Sequence, residues 1–128
     1  MNVKTDTKEK FSVITPVEAE ISANMTEELK ELLLSYLQKD IPHIVLKMNE
    51  VGSLALEAGE AIALTQQQFY EKNASFVICE MNQGIEDQLE KQELLEIMNI
   101  TPTESEAWDI VQMEEIEREL LGDFDEEH

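Results

Sequence analysis

The chain has 128 residues, 42% of them hydrophobic, with 29 acidic side chains against 9 basic ones and a formal net charge of −20. A chain of this length suits one domain, since it buries roughly two-thirds of its unfolded surface without needing disulfides or metals. The charge opposes binding to nucleic acid or anionic lipid; it either simply keeps the protein in solution or favours basic protein surfaces or divalent cations, and no apolar run approaches the roughly 18 to 20 residues that cross a bilayer.

The charge is uneven. Residues before Cys79 carry 12 acids and 7 bases, whereas those from Cys79 onward carry 17 and 2. Met1–Asp6 mixes charges and lacks an apolar signal core, from which a cytoplasmic location is expected. The single cysteine, Cys79, ends the run Phe76-Val77-Ile78-Cys79 and is expected to be buried as a small hydrophobe rather than to serve redox chemistry. Without a secretory signal, the glycosylation sequons at Asn24, Asn73 and Asn99 read as chance.

In chain order, the alternating runs Val3–Thr7 and Phe11–Pro16 on either side of polar Lys8-Glu9-Lys10 predict a hairpin. Asn24 or Thr26 is placed to cap a first helix whose apolar positions Met25, Leu29, Leu32, Leu33, Tyr36 and Leu37 recur at three- and four-residue steps. Ile44-Val45-Leu46 predicts a buried strand. Ser53 is then placed to cap a helix to about Asn73, with Leu54, Ala58, Ala61, Ile62, Thr65 and Phe69 as its stripe. Gly59, unfavourable in that helix by up to about 1 kcal/mol relative to alanine, suggests close packing or the approach of another chain. Ser75–Cys79 predicts a strand, Gly84–Glu90 a short helix, and Leu94–Ile100 is expected to contain a weaker strand.

Thr101, Pro102 and Glu104 make a capping signature for a last helix to about Leu121. Twenty residues of helix span about 30 Å, longer than a typical strand, so its far end is expected to project past the sheet. Trp108, Val111 and Leu120 are expected to pack it, and Glu114 four residues before Arg118 suggests an intrahelical pair of a few tenths of a kcal/mol. Alternating strands and helices after a hairpin define an α/β fold with right-handed crossovers. It occupies one domain over residues 1–121, and an acidic tail, 122–128, is expected to be flexible.

The segment His43-Ile44-Val45-Leu46, then Val51, the helix over 54–73 and Phe76-Val77-Ile78-Cys79 resembles the STAS domain, the fold of bacterial anti-sigma factor antagonists. Thr101–Ala107 and Met113–Leu120 are similar to STAS proteins of the Bacteroidetes group. The resemblance implies a mostly parallel central sheet of four to five strands with an antiparallel edge and about four helices. It also implies an Asp-Ser-Ser/Thr-Gly motif where the second helix starts; there a partner kinase phosphorylates the first serine, and the modified domain releases its partner. Amides at a helix start hold an anion, while the added charge disrupts a contact surface. Here those four positions hold Ala55, Leu56, Glu57 and Ala58, so the hydroxyl is missing from the motif; Ser53 is the alternative acceptor of a phosphoryl group, with a helix cap as its simpler role. A one-residue shift onto Gly59 would instead put Glu57 at the acceptor position, where its carboxylate would imitate part of a phosphate. The acidic residue that relatives carry near the first helix corresponds to Ser22.

No nucleophile, acid–base pair or metal ligand set appears with diagnostic spacing, so no catalytic residue, metal or cofactor is assigned and an enzyme is not expected. Asp123, Asp125, Glu126 and Glu127 lack the pattern of a calcium loop. The expected function is non-catalytic protein binding through Asn49, Ser53, Leu56, Glu57, Gly59, Glu60 and Asn82, with an anti-sigma factor or kinase-like regulator as partner. No nucleic-acid binding and no direct membrane insertion are expected; self-association is open. Alternatives are a small STAS subunit of a lipid-trafficking ABC transport system and a nucleotide-binding domain, the latter without a Gly-rich phosphate loop.

Overall fold

The computed structural model describes residues 1–126, with side chains described as far as Leu121. In chain order the elements are β1 (Val3–Thr7), β2 (Ser12–Pro16), β3 (Glu20–Ile21), α1 (Thr26–Ser35), β4 (Ile44–Lys47), β5 (Ser53–Leu54), α2 (Leu56–Glu71), β6 (Phe76–Cys79), α3 (Gln83–Lys91), β7 (Ile100–Thr101) and α4 (Glu104–Glu126). The five-stranded sheet runs β1-β2-β4-β6-β7, antiparallel at the β1–β2 hairpin and parallel elsewhere, as the alternation of strands and helices predicts.

Period-two alternation sorts the strand side chains between two cores. Ile14, Ile44, Leu46, Phe76 and Ile78 face α1, α2 and α3 in the larger one. Val13, Val45, Val77 and Cys79 face the other way, onto Ala107 and Val111 of α4. Both faces are covered, which is why β4 and β6 read as unbroken apolar runs. Cys79 is buried as expected, and burial, reinforced by the carboxylates of Glu80 and Glu104, pushes its thiol up to about 12.

Four local expectations need correction. Neither Asn24 nor Thr26 caps α1, because a 3-10 turn at Ala23–Met25 feeds straight into it; among the described residues the buried Thr26 hydroxyl has no partner. Ser53 does not cap α2 but lies in β5, paired in parallel with Glu20. The backbone there is committed to the β2–α1 connection: Gly52 N and Ser53 N donate to Ala19 O at 2.7 and 3.0 Å, and Ala55 N donates to Ile21 O at 2.8 Å. The weak strand expected within Leu94–Ile100 falls at the end of that stretch and past it, at Ile100–Thr101, since Leu95–Ile97 winds into a 3-10 turn behind Glu93, which ends α3 at φ 61. Thr101 is a strand residue, and the cap is Thr103, whose hydroxyl accepts from Glu106 N at 3.2 Å. The capping pattern therefore sits two residues later than the spacing first suggests.

Helix α4 continues past Leu121 to Glu126, and the expected flexible tail, 122–128, ends in two residues that lie outside the described ones. Trp108 and Val111 pack on the sheet side, with Phe11 meeting Trp108 edge-on at 5.3 Å, but Leu120 is exposed rather than packed. Polar groups lock this helix to the N-terminal ends of β4 and β6. Glu114 accepts from Ser75 Oγ at 2.6 Å and from Tyr70 OH at 2.8 Å; Arg118 donates to Ser75 Oγ at 2.8 Å. His43 accepts the Ser75 amide on Nδ1 at 3.0 Å and meets Glu115 through Nε2 at 2.6 Å. Since Nδ1 accepts, the ring proton of neutral His43 is on Nε2.

Candidate functional site

The candidate surface lies at the carboxyl ends of the parallel strands, where open α/β sheets commonly bind. Three segments build it: the β4–β5 loop, the first turns of α2, and the β6–α3 connection. The β3–β5 ladder fixes the direction in which α2 starts, and the amide side chains of Gln88 in α3 and of Gln92 just after it hold the backbone on either side of the α2 N-cap. Gln88 Nε2 donates to Leu54 O at 2.8 Å and Gln92 Nε2 to Leu56 O at 3.4 Å.

Asn82 connects two segments. Its Oδ1 accepts from Ile85 N at 2.8 Å, capping α3, while its Nδ2 donates to Gly52 O at 3.0 Å and Val51 O at 3.2 Å. The residue before this connection's turn, Glu80, takes the left-handed conformation at φ 58, uncommon for a side chain with a Cβ. Its carboxylate approaches Lys47 Nζ at 3.9 Å, and Lys47 also meets Glu104 at 3.1 Å. The hydrogen bond that Lys47 donates to Glu104 raises the lysine above its ordinary pKa, tying the start of α4 to the end of β4.

Of the residues singled out in the sequence, Ser53, Leu56, Glu57 and Glu60 are exposed along the entrance to α2. Asn49 is exposed in the turn closed by Val51 N on Met48 O at 3.1 Å; no hydrogen bond joins its side chain to the others among the described residues. Gly59 is buried, and a Cβ built on it would stand 2.9 Å from Leu89 Cδ2, so it serves the close packing of α2 on α3. Ala55 occupies the N-cap position without a side-chain cap, and Glu57 places a favourable charge in the first turn.

Leu56 is 53% exposed at the first position of α2, an unusual place for a large apolar side chain. It lies at one end of a groove of about 570 Å³ between α2 and the α3–β7 connection, lined also by Leu64, Leu94 and Ile97, with Glu60 and Gln92 on its walls. Leu64 and Ile97 are more exposed still. Among the described residues no lysine or arginine lines this groove. The sequence reading missed Leu64, Leu94 and Ile97. The available signal was that Leu64 is an apolar residue outside the buried stripe of its helix, whereas the folding of Ile97 toward α2 is a long-range event. Among the described residues no group of three or more metal-ligating side chains is gathered, and no helix is long and apolar enough to cross a membrane.

The family model described as the STAS domain matches residues 2–107. A comparison with curated proteins finds no match. Among solved structures, a Thermotoga maritima protein assigned as an anti-sigma factor antagonist superposes with a TM-score of 0.77 at 20% identity, covering 86% of this chain and 94% of its own. An anti-sigma-factor antagonist (STAS) domain protein from Planctomyces limnophilus gives 0.74 at 15% identity, with 86% and 97% covered. The anti-sigma factor antagonist SpoIIAA of Bacillus, in its unphosphorylated form, gives 0.68 at 12% identity, with 87% and 96% covered; it has also been solved phosphorylated.

Proposed function

The chain belongs to the STAS domain family, and from that premise we propose that it is a non-catalytic module that docks a regulatory protein against the entrance of α2 without a serine phosphorylation switch. The exposed side chain of Leu56 carries this reading. It has no hydroxyl to accept a phosphoryl group, and it places an apolar anchor where the resemblance to anti-sigma factor antagonists expects a switchable one. Clustered exposed apolar side chains with a polar rim are a usual mark of a protein contact. Leu64, Leu94 and Ile97 extend the apolar surface from Leu56, and Glu57 and Glu60 edge it with negative charge.

By its likeness to SpoIIAA and the other antagonists, the partner is an anti-sigma factor or kinase-like regulator, bound constitutively. Leu56→Asp tests this, because the side chain is more than half solvated and the exchange leaves the core intact. Pull-down from the native cell should recover the partner with the wild type and lose it with Leu56→Asp. Undiminished recovery would remove the α2 entrance from the contact. Raising the salt should weaken the complex if its acidic edge meets a basic surface.

A further inference from the structure

We propose that the outer face of α4 is a second docking surface, which takes a basic amphipathic helix of another protein. Helix α4 is apolar on two opposite sides. Ala107 and Val111 of its inner side are buried on the sheet, where Glu114 and Arg118 make the polar contacts described above. Met113, Ile116 and Leu120 point the other way, each more than half exposed. Their spacing of three and then four residues is that of a helix-pairing seam, and Arg118 falls at the position opposite that seam.

Charge chooses the occupant. Glu117 and Glu119 flank the seam on either side, and Glu106 and Asp109 continue the same outer face toward the helix start; all four are exposed. Over residues 104–121 the one basic side chain is Arg118, and it is turned inward onto Ser75 at 2.8 Å and Glu115 at 3.5 Å. A second copy of this chain would set Glu117 and Glu119 against their own kind, which flanking positions of a helix pair select against. Lysines or arginines at the matching positions of a partner helix meet complementary charge instead. The seam begins at Met113, beyond residue 107 where the match to the family model ends. It also lies across the sheet from the α2 groove, so both surfaces are open to partners at the same time.

The test uses the full chain and a labelled synthetic peptide of about three heptads with leucine at the seam positions and lysine at the flanking ones, beside a twin carrying glutamate there. Fluorescence anisotropy should show the lysine peptide binding, with a gain of helix by circular dichroism. Ile116→Asp and Leu120→Asp should each weaken it at least tenfold, and Leu56→Asp should leave it unchanged. Any of four results overturns the proposal: no binding of the lysine peptide, equal binding to Ile116→Asp, equal binding of the glutamate twin, or a wild-type dimer in sedimentation that Ile116→Asp abolishes. The last would make a second copy the occupant. Melting curves of the variants should match the wild type, since both side chains stand mostly in solvent.

Discussion

Replacing Glu114 by alanine should destabilise the fold by about 2 to 4 kcal/mol. Its carboxylate accepts from two hydroxyls, Ser75 Oγ at 2.6 Å and Tyr70 OH at 2.8 and 3.0 Å, and lies 3.9 Å from Arg118 Nη2. Hydrogen bonds to a charged group contribute roughly 1.5 to 3 kcal/mol each, and water reaching the quarter-exposed side chain offsets part of their sum. Tyr70 keeps a long contact to Phe76 O at 3.5 Å and an amide donor from Asn99 at 2.8 Å, so its ring should stay in place. At roughly 3 to 5 °C per kcal/mol for a domain of this size, the melting point should fall by about 6 to 20 °C. Urea unfolding of Glu114→Ala, Tyr70→Phe and the double variant gives the coupling directly, expected at about 1 to 2 kcal/mol. A loss under about 0.5 kcal/mol for Glu114→Ala would return this residue to an ordinary surface pair with Arg118 and refute the reasoning.

Burial holds His43 below its ordinary pKa of 6.5, with Arg118 acting the same way and Glu115 opposing. The unfolded chain therefore takes up a proton that the folded one refuses. His43 contributes stability that is fully present above pH 6.5 and is lost as the pH falls through 6.5 toward the lower folded value; His43→Gln should flatten this slope of the urea midpoint against pH, and an unchanged slope would count against it. Glu93→Gly should stabilise by about 1 kcal/mol in urea, because Glu93 sits at φ 61 where Leu94 N closes onto Leu89 O at 2.9 Å; a neutral or destabilising result would show that no strain resides there. Asn82→Ala should cost about 1 kcal/mol and speed hydrogen exchange at the Ile85 amide, while unchanged exchange would mean that the cap is redundant. Cys79 should react with thiol reagents only as fast as the chain unfolds, so prompt labelling of the native protein would contradict its burial.

Fold class, hairpin, both central strands and the existence of all four helices were legible in the sequence, because each rests on local periodicity. Ile44–Leu46 and Phe76–Cys79 are apolar on successive residues since cores lie on both sides of them. What local pattern could not show was competition for backbone. Ser53 looks like a cap, yet its amide is taken by Ala19 in a ladder between segments more than 30 residues apart. Glu114 looks like half of an i to i+4 pair, yet its stronger partners, Tyr70 and Ser75, come from α2 and the start of β6. At the candidate site, Leu56, Glu57 and Glu60 were named from the family resemblance and lie exposed, whereas Gly59 turned inward and Ile97 arrived from a connection within which the sequence places a weak strand.

The two-residue ladder between Glu20–Ile21 and Ser53–Leu54 limits how this molecule tolerates editing. Side chains alternate along a strand, so adding or removing one residue between Pro16 and Ile21 would turn buried Ile21 to solvent and pull the start of α2 with it. The neighbouring hairpin turn at exposed Glu9 is closed by Lys8 N on Phe11 O at 2.8 Å, but the five residue pairs from Val3↔Pro16 to Thr7↔Ser12 hold its strands in register far more firmly than a two-residue ladder does. A graft, tag or circular permutation belongs there, and the connection a few residues later is the one to leave untouched.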